Sequence, residues 1–146
     1  MTPLSAEDVI RMLGLPSHPE RRYYLETFRD PRCDDGGRSV STAIYFLLKE
    51  GEISRWHRVD AAEVWHWYAG APLELSVAPH DGASLSTVRL GSVLSSGERP
   101  QSVVPTGYWQ QARSLGRWTL VGCTVAPGFT FDGLELAAEG FKPSQP

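Results

Sequence analysis

The sequence predicts an all-β fold, an antiparallel sandwich or barrel preceded by one short helix. Beyond residue 20, short runs of β-branched and aromatic residues alternate with turns rich in glycine, proline, aspartate and serine. Turn signals recur at DDGG, KEGE, PHDG and SSGERP, and helical periodicity is almost absent between them. The length of 146 residues suits a single domain with a buried core.

The first segment alone has the pattern of a helix. Ser5 can cap its first turn, Asp8 stands three residues later, and Gly14 ends it. Three apolar residues form one stripe: Val9, Ile10 and Leu13. We expect a short helix that docks on one end of a β core.

Eight further segments are predicted as strands. In chain order they are Arg22–Phe28, Ser39–Lys49, Ile53–Arg58, Glu63–Ala69, Leu73–Val77, Leu85–Leu90, Ser102–Val104 and Arg117–Val125. We therefore divide a single domain, residues 1–146, into a helix and lead-in at 1–19, a barrel at 20–136 and a tail at 137–146. The end of the tail, FKPSQP, is expected to fray.

Residues 51–70, GEISRWHRVDAAEVWHWYAG, concentrate the residue types of an active site. A hairpin centred on Asp60 would place His57 directly opposite Glu63, although a slip of one residue would exchange the two faces. One face would then carry six side chains: Ile53, Arg55, His57, Glu63, Trp65 and Trp67. Since both faces contain aromatic residues, we expect one to line the barrel interior and the other to contact a partner subunit in a homodimer.

A histidine beside a glutamate can transfer a proton near neutral pH. The carboxylate fixes the imidazole tautomer and favours its protonated form. We therefore predict His57 and Glu63 as a catalytic pair. The alternative is that they form a purely structural cross-strand pair.

The same stretch resembles the first motif of the cupin superfamily. Gly51, His57, Val59, Glu63 and Gly70 have its spacing, with valine where cupins usually have a second metal-binding histidine. The strings STAIYFLL, WHRVDAAEVWHWYAG, PQSVVPTGYWQ and LVGCTVAPGF are similar to the poorly characterised fifth cupin group, whose folds resemble the dTDP-sugar epimerases. The resemblance extends over residues 20–136 and implies a cupin barrel, that is, a double-stranded β-helix or jelly roll.

The second cupin motif, Pro-x-Gly-x-x-His, is matched at Pro105 and Gly107, but Gln110 replaces its histidine. Metal-dependent cupins typically use three histidines and one glutamate. If a divalent metal binds, its ligands here would be His57, Glu63 and Gln110, a weak set. We expect no obligatory cofactor.

Several other residues are candidates for substrate binding. Trp65, Trp67 and Trp109 offer flat faces for a ring, or simply fill the core. Arg55 could bind an anionic group or remain solvated at the barrel mouth. Three polar residues complete the predicted pocket: Tyr45, Gln101 and Gln110. Cys123 is expected to be a small buried apolar residue.

Charge and composition limit the partners. The net charge is −3, and the basic residues are scattered, so nucleic acid is not expected. The N-terminus has neither a signal peptide nor a membrane-spanning pattern. Two cysteines far apart, Cys33 and Cys123, suit reduced thiols in the cytoplasm. The expected partners are a small-molecule ligand and a second copy of the chain.

Three functions remain open. The first is a metal-independent isomerase or epimerase, in which His57 transfers a proton on a polar, ring-containing, sugar- or nucleotide-like substrate. The second is a cupin that binds a metabolite without chemistry. The third is a divalent-metal cupin enzyme with an incomplete ligand set.

Overall fold

Two antiparallel sheets build the protein in a computed structural model that describes residues 2–19, 22–80 and 82–143. The helix α1 spans Ala6–Leu13. The strands are β1 (Ser17–His18), β2 (Arg22–Arg29), β3 (Thr42–Lys49), β4 (His57–Val59), β5 (Ala62–Gly70), β6 (Leu73–Ala78), β7 (Ser86–Leu90), β8 (Gln101–Val104), β9 (Trp109–Ser114), β10 (Trp118–Ala126) and β11 (Leu134–Leu136). The all-β prediction is confirmed.

One sheet has the order β1-β2-β3-β10-β5-β8, and the other has the order β11-β4-β9-β6-β7. The main core lies between them. It contains nine buried residues: Leu48, Trp65, Leu73, Leu75, Leu90, Val104, Ala112, Val121 and Cys123. Alternation explains this placement: in β6, Leu73 and Leu75 point inward, while Glu74 between them forms an ion pair with Arg113.

The helix α1 forms as predicted and covers the outer face of the first sheet. Ser5 and Asp8 form a reciprocal capping box, and Gly14 ends the helix with a φ of 66°. Val9 packs against Leu47 of β3 in a second core cluster. No helix among the described residues is both long and apolar enough to cross a membrane.

The predicted hairpin in residues 51–70 is wrong. His57 pairs with Gln110 of β9 and Leu136 of β11, whereas Glu63 pairs with Val125 of β10 and Val104 of β8. β4 and β5 therefore belong to different sheets, and the segment between them is a corner where the chain crosses over. Alternation along a strand fixes which side chains share a face, but it does not determine which strands pair.

The corner is held by contacts that a two-strand hairpin would lack. Arg38 donates to both carboxylate oxygens of Asp60, at 3.1 and 2.8 Å, and to the carbonyl of Gly128 at 2.7 Å. Val59 and Ala61 on either side are buried against Val125. This corner brings the end of β4 and the start of β5 to the same interior space.

Other boundaries also differ from the prediction. The strand predicted at Ile53–Arg58 begins only at His57, and β1, β9 and β11 were not predicted. The tail does not fray at its start, because Phe141 packs on Trp56 and Trp109 with centroid distances of 5.4 and 4.7 Å. Residue 1 of the predicted lead-in, residues 20, 21 and 81 of the predicted barrel and residues 144–146 of the predicted tail lie outside the described part of the chain.

Candidate functional site

A cavity of about 610 Å³ opens between the two sheets. Its inner wall contains six buried side chains from β4, β5 and β10: His57, Val59, Glu63, Trp65, Cys123 and Val125. The corner at Asp60 and the pairing of β10 with β5 bring them together. Although His57 and Glu63 are not opposed on a hairpin, they line the same cavity.

His57 is held in one tautomer. Its Nδ1 lies 2.8 Å from the carbonyl oxygen of Arg55, and because a carbonyl can only accept, Nδ1 carries the proton. Nε2 then has a free lone pair, and no described residue donates a hydrogen bond to it. The predicted orientation of His57 by Glu63 is therefore wrong: the backbone of Arg55 provides it.

The ring of His57 is neutral at physiological pH. Burial lowers the pKa of His57 from 6.5 to about 4, and the positive charge of Arg22 lowers it further, against the hydrogen bond to Arg55. Only 9% of the residue is exposed. His57 thus presents an uncharged imidazole that can accept a proton through Nε2.

Glu63 lies on β5 and is 8% exposed. Burial raises the pKa of Glu63, although a hydrogen bond from Gln110, the thiol of Cys123 and the charge of Arg22 act in the opposite direction. Burial therefore favours the neutral carboxyl, which can donate a proton. Burial thus makes His57 a weaker base and Glu63 a weaker acid than the same groups in water.

Gln110 fixes the position of Glu63 from behind. The indole N–H of Trp65 can only donate, and it reaches Gln110 Oε1 at 2.8 Å. The amide nitrogen of Gln110 therefore points to Glu63 Oε1, 2.8 Å away. This chain of three buried side chains is a positioning device, and Gln110 does not line the cavity itself.

Cys123 lies beside Glu63 on the cavity wall. It is buried, as expected, but it packs against a carboxyl as well as against apolar neighbours. Burial, together with the neighbouring carboxyl, raises the pKa of the Cys123 thiol well above its usual value. The thiol therefore stays protonated and is a poor nucleophile.

A resident metal does not fit these residues. Val59 lines the wall with an apolar side chain, and the one oxygen of Gln110 that could bind a metal already accepts from Trp65. Within the described ranges, no group of three or more His, Cys, Asp or Glu side chains is placed to hold a metal ion. The candidate ligand set of His57, Glu63 and Gln110 thus has two donors rather than three.

Several predicted binding residues lie elsewhere. Arg55 is exposed, donates to the carbonyl of Ala137 at 2.6 Å and lines a separate cavity of about 120 Å³. Trp67 packs on the main core and donates to the carbonyl of Ala71 at 3.0 Å. Neither side chain lines the large cavity, because the paired face on which we had placed them does not exist.

Trp109 lies on the outer face of the second sheet. Its ring packs against that of Phe141 at an interplanar angle of 48°, and the guanidinium of Arg58 lies 4.7 Å from its centroid. It alternates along β9 with the inward-facing Gln110 and so points away from the cavity.

Tyr45 and Gln101 lie on the outer face of the first sheet. Tyr45 packs in the cluster under α1 and contacts Tyr68 edge-on at 6.2 Å. Gln101 is exposed and lies 3.3 Å from His66 Nδ1. Of the substrate-binding residues predicted from the sequence, Trp65 alone reaches the cavity wall.

Sequence reasoning missed the residues of the cavity mouth. Tyr24 of β2 is stacked on His18 with centroids 3.6 Å apart, and Phe129 contacts Phe131 edge-on at 5.3 Å. Phe131 is 72% exposed, which is unusual for such a large apolar side chain. Alternation in the predicted strand at Arg22–Phe28 could have placed Tyr24 on the inner face beside Arg22.

Comparisons with known proteins agree with this architecture. The family described as Cupin superfamily (DUF985) matches residues 7–137. A solved structure from Shewanella oneidensis has a TM-score of 0.86 and 39% identity, and the match covers 93% of this chain and 86% of that one. A hypothetical protein from Leishmania major has a TM-score of 0.84 and 30% identity, with 94% and 90% covered. A search of curated proteins found no match.

More distant structures share the fold alone. An L-ribose isomerase from Cellulomonas parahominis, solved with L-psicose, has a TM-score of 0.60 at 13% identity, with 83% of this chain and 79% of that chain covered. Fold similarity at this distance does not transfer an activity. The extent of the family match and the identity to the Shewanella protein establish that this chain belongs to the cupin superfamily, in the family described as DUF985.

Proposed function

We propose that the protein is a metal-independent isomerase or epimerase that transfers a proton on a polar, ring-containing, sugar- or nucleotide-like compound. One observation carries the proposal: the free Nε2 of His57 and the carboxyl of Glu63 line one cavity of about 610 Å³. A cavity of this size can hold a small metabolite. The aromatic mouth, with Tyr24, Phe129 and Phe131, offers flat faces for a ring.

The reaction divides between two residues. His57 Nε2 removes a proton from a carbon next to a carbonyl group, and Glu63 gives its carboxyl proton to the carbonyl oxygen. From an α-hydroxy carbonyl compound this produces a neutral enediol. The imidazolium then returns its proton to the neighbouring carbon, Glu63 recovers a hydroxyl proton, and both residues are restored.

Burial prepares the two residues for this exchange. The lowered pKa of His57 keeps its imidazole neutral and able to accept a proton, and the raised pKa of Glu63 favours the protonated carboxyl, which can donate one. The same low basicity of His57 also favours a second candidate, a cupin that binds a metabolite without chemistry.

Hydrogen–deuterium exchange separates these functions. The protein is incubated in D₂O with a panel of aldoses, ketoses and nucleoside-diphosphate sugars, and loss of C–H signal next to the carbonyl is followed by NMR. We expect exchange that His57→Gln abolishes. His66→Gln is the matched control, because His66 lies on the outer face and bonds Thr124 at 3.0 Å.

Each other outcome has a defined meaning. Exchange by His57→Gln at the wild-type rate would refute the role of His57. Ligand binding with no exchange would support the metabolite-binding function. Exchange that is lost on dialysis against a chelator and restored by a divalent metal would support the metal-dependent alternative.

A further inference from the structure

Arg22 lies on the inner face of β2, where it lines the cavity beside Tyr24. It is half-buried, and it also lines the smaller cavity of about 120 Å³ next to it. Its position follows from alternation, because Tyr24 pairs with Phe46 of β3, whose side chain packs on the core. The guanidinium of Arg22 is therefore part of the wall of the large cavity between the two sheets.

No ion pair or hydrogen bond between described residues involves the side chain of Arg22. Among the described residues, the two other carboxylates that line these cavities have other partners. Glu26 binds Arg29 at 2.8 Å on the exposed rim, and Glu52 accepts from the backbone N–H of Lys49 at 3.1 Å. Withdrawing a guanidinium from water without a counter-ion costs free energy. An unpaired cation in a cavity wall is thus suited to an anion from outside the chain.

The charge of Arg22 acts at the reactive end of the cavity. Arg22, His57 and Glu63 line the same cavity, and the charge of Arg22 lowers the pKa of both of the other groups. The other cation that lines the cavity, Arg29, is already neutralised by Glu26. Glu63 does not compensate Arg22, since burial favours its neutral form.

We propose that Arg22 binds an anionic group of the substrate, a carboxylate or a phosphate, next to His57 and Glu63. This inference rests on the proposed function in taking the cavity as the substrate site, and it narrows the substrate class to anionic compounds. A guanidinium matches both groups through two parallel hydrogen bonds. The bound anion also neutralises the charge that weakens His57 as a base, so the substrate itself would activate the imidazole.

Binding of small anions tests this directly, with no need to know the substrate. Inorganic phosphate and acetate are titrated in the millimolar range, and the side-chain NMR signals of Arg22 Nε–H and of His57 are followed. Glucose 6-phosphate, glucuronate and neutral glucose form a second series with a common ring. These arms distinguish a phosphate from a carboxylate.

The variants are Arg22→Gln and, on the same strand, Arg29→Gln. We expect phosphate or acetate to bind the wild type and at least about tenfold more weakly to Arg22→Gln, since a charge-assisted pair is lost. Arg29→Gln should bind like the wild type, because Arg29 is already paired. Circular dichroism checks that both variants are folded, and His57→Gln should retain anion binding.

Three results would overturn the proposal. These are anion binding equal in Arg22→Gln and wild type, a similar loss in Arg29→Gln, and no shift with either small anion in the wild type. Deuterium exchange on neutral sugars without anion binding would remove Arg22 from the site and leave the proton-transfer function standing. Anion binding without exchange on any substrate would retain Arg22 and refute the chemistry.

Discussion

Replacing His57 by glutamine should remove a large pH dependence from the stability of the protein. Burial holds the pKa of His57 at about 4 in the folded state, against 6.5 in the unfolded chain. As the pH falls from about 6.5 to about 4, the unfolded chain takes up a proton that the folded chain does not. The free energy of unfolding therefore decreases through this window, by about 3 kcal/mol once the pH is below 4.

Urea denaturation at a series of pH values measures this contribution as the difference between wild type and His57→Gln. The pKa of Glu63 is raised, so Glu63 acts in the opposite direction and lowers stability as the pH rises above 4.5. Glu63 is present in both proteins and largely cancels from the difference. His66→Gln controls for the loss of a histidine on the outer face.

The difference between wild type and His57→Gln should be nearly constant above pH 6.5 and should shrink or change sign toward pH 4. A difference independent of pH would mean that His57 is protonated as easily in the folded as in the unfolded chain. That result would refute the buried neutral imidazole on which the proposed base depends.

Two further predictions concern the frame of the site. Gln110 is only 1% exposed, and replacing it by leucine removes the hydrogen-bond partner of the Trp65 indole N–H and one partner of the Glu63 carboxyl. Gln110→Leu should therefore lower the free energy of unfolding, measured by urea denaturation, by about 2–4 kcal/mol. Gln111→Leu, on the opposite face of β9, should change the free energy of unfolding little. Equal effects of the two substitutions would contradict the buried hydrogen-bond chain from Trp65 through Gln110 to Glu63. Phe141→Ala should destabilise by about 1–2 kcal/mol and speed proteolysis of the tail, because Phe141 packs on two tryptophans. Equal rates of tail cleavage in the wild type and in Phe141→Ala would contradict the packing of Phe141 on Trp56 and Trp109.

Much of the fold could be predicted because local patterns are strong. The capping box of Ser5 and Asp8 and the alternation of Leu73 and Leu75 each reflect interactions within one element. The resemblance to the first cupin motif also pointed to His57 and Glu63, which line one cavity although the hairpin predicted to pair them is wrong. These inferences depend on short-range chemistry, which a single sequence contains.

Long-range pairing could not be predicted in the same way. The crossing between β4 and β5 depends on Arg38, which is 22 residues from Asp60 in sequence and clamps it at the corner. The docking of Phe141 depends on Trp56 and Trp109, which lie on two distant segments. Arg55 and Trp67 were assigned to the pocket on a pairing that these tertiary contacts replace.

Arg22 shows a different limit. Its strand was predicted, and alternation would have placed it inward, but an inward arginine gains significance only when its surroundings lack a counter-ion. An ion pair such as Glu26–Arg29 joins residues only three positions apart and can be predicted from the sequence. An unpaired charge in the wall of a cavity is visible only once the whole chain is folded.

The most direct test of the account is a crystal structure of the protein with a bound anionic substrate or substrate analogue. We expect the ligand to occupy the cavity between the sheets, with a polar or reacting atom within hydrogen-bond distance of His57 Nε2 and its carboxylate or phosphate on Arg22. A ligand bound on the outer face of the first sheet, near Tyr45 and Gln101, or in the small cavity beside Arg55, would contradict it.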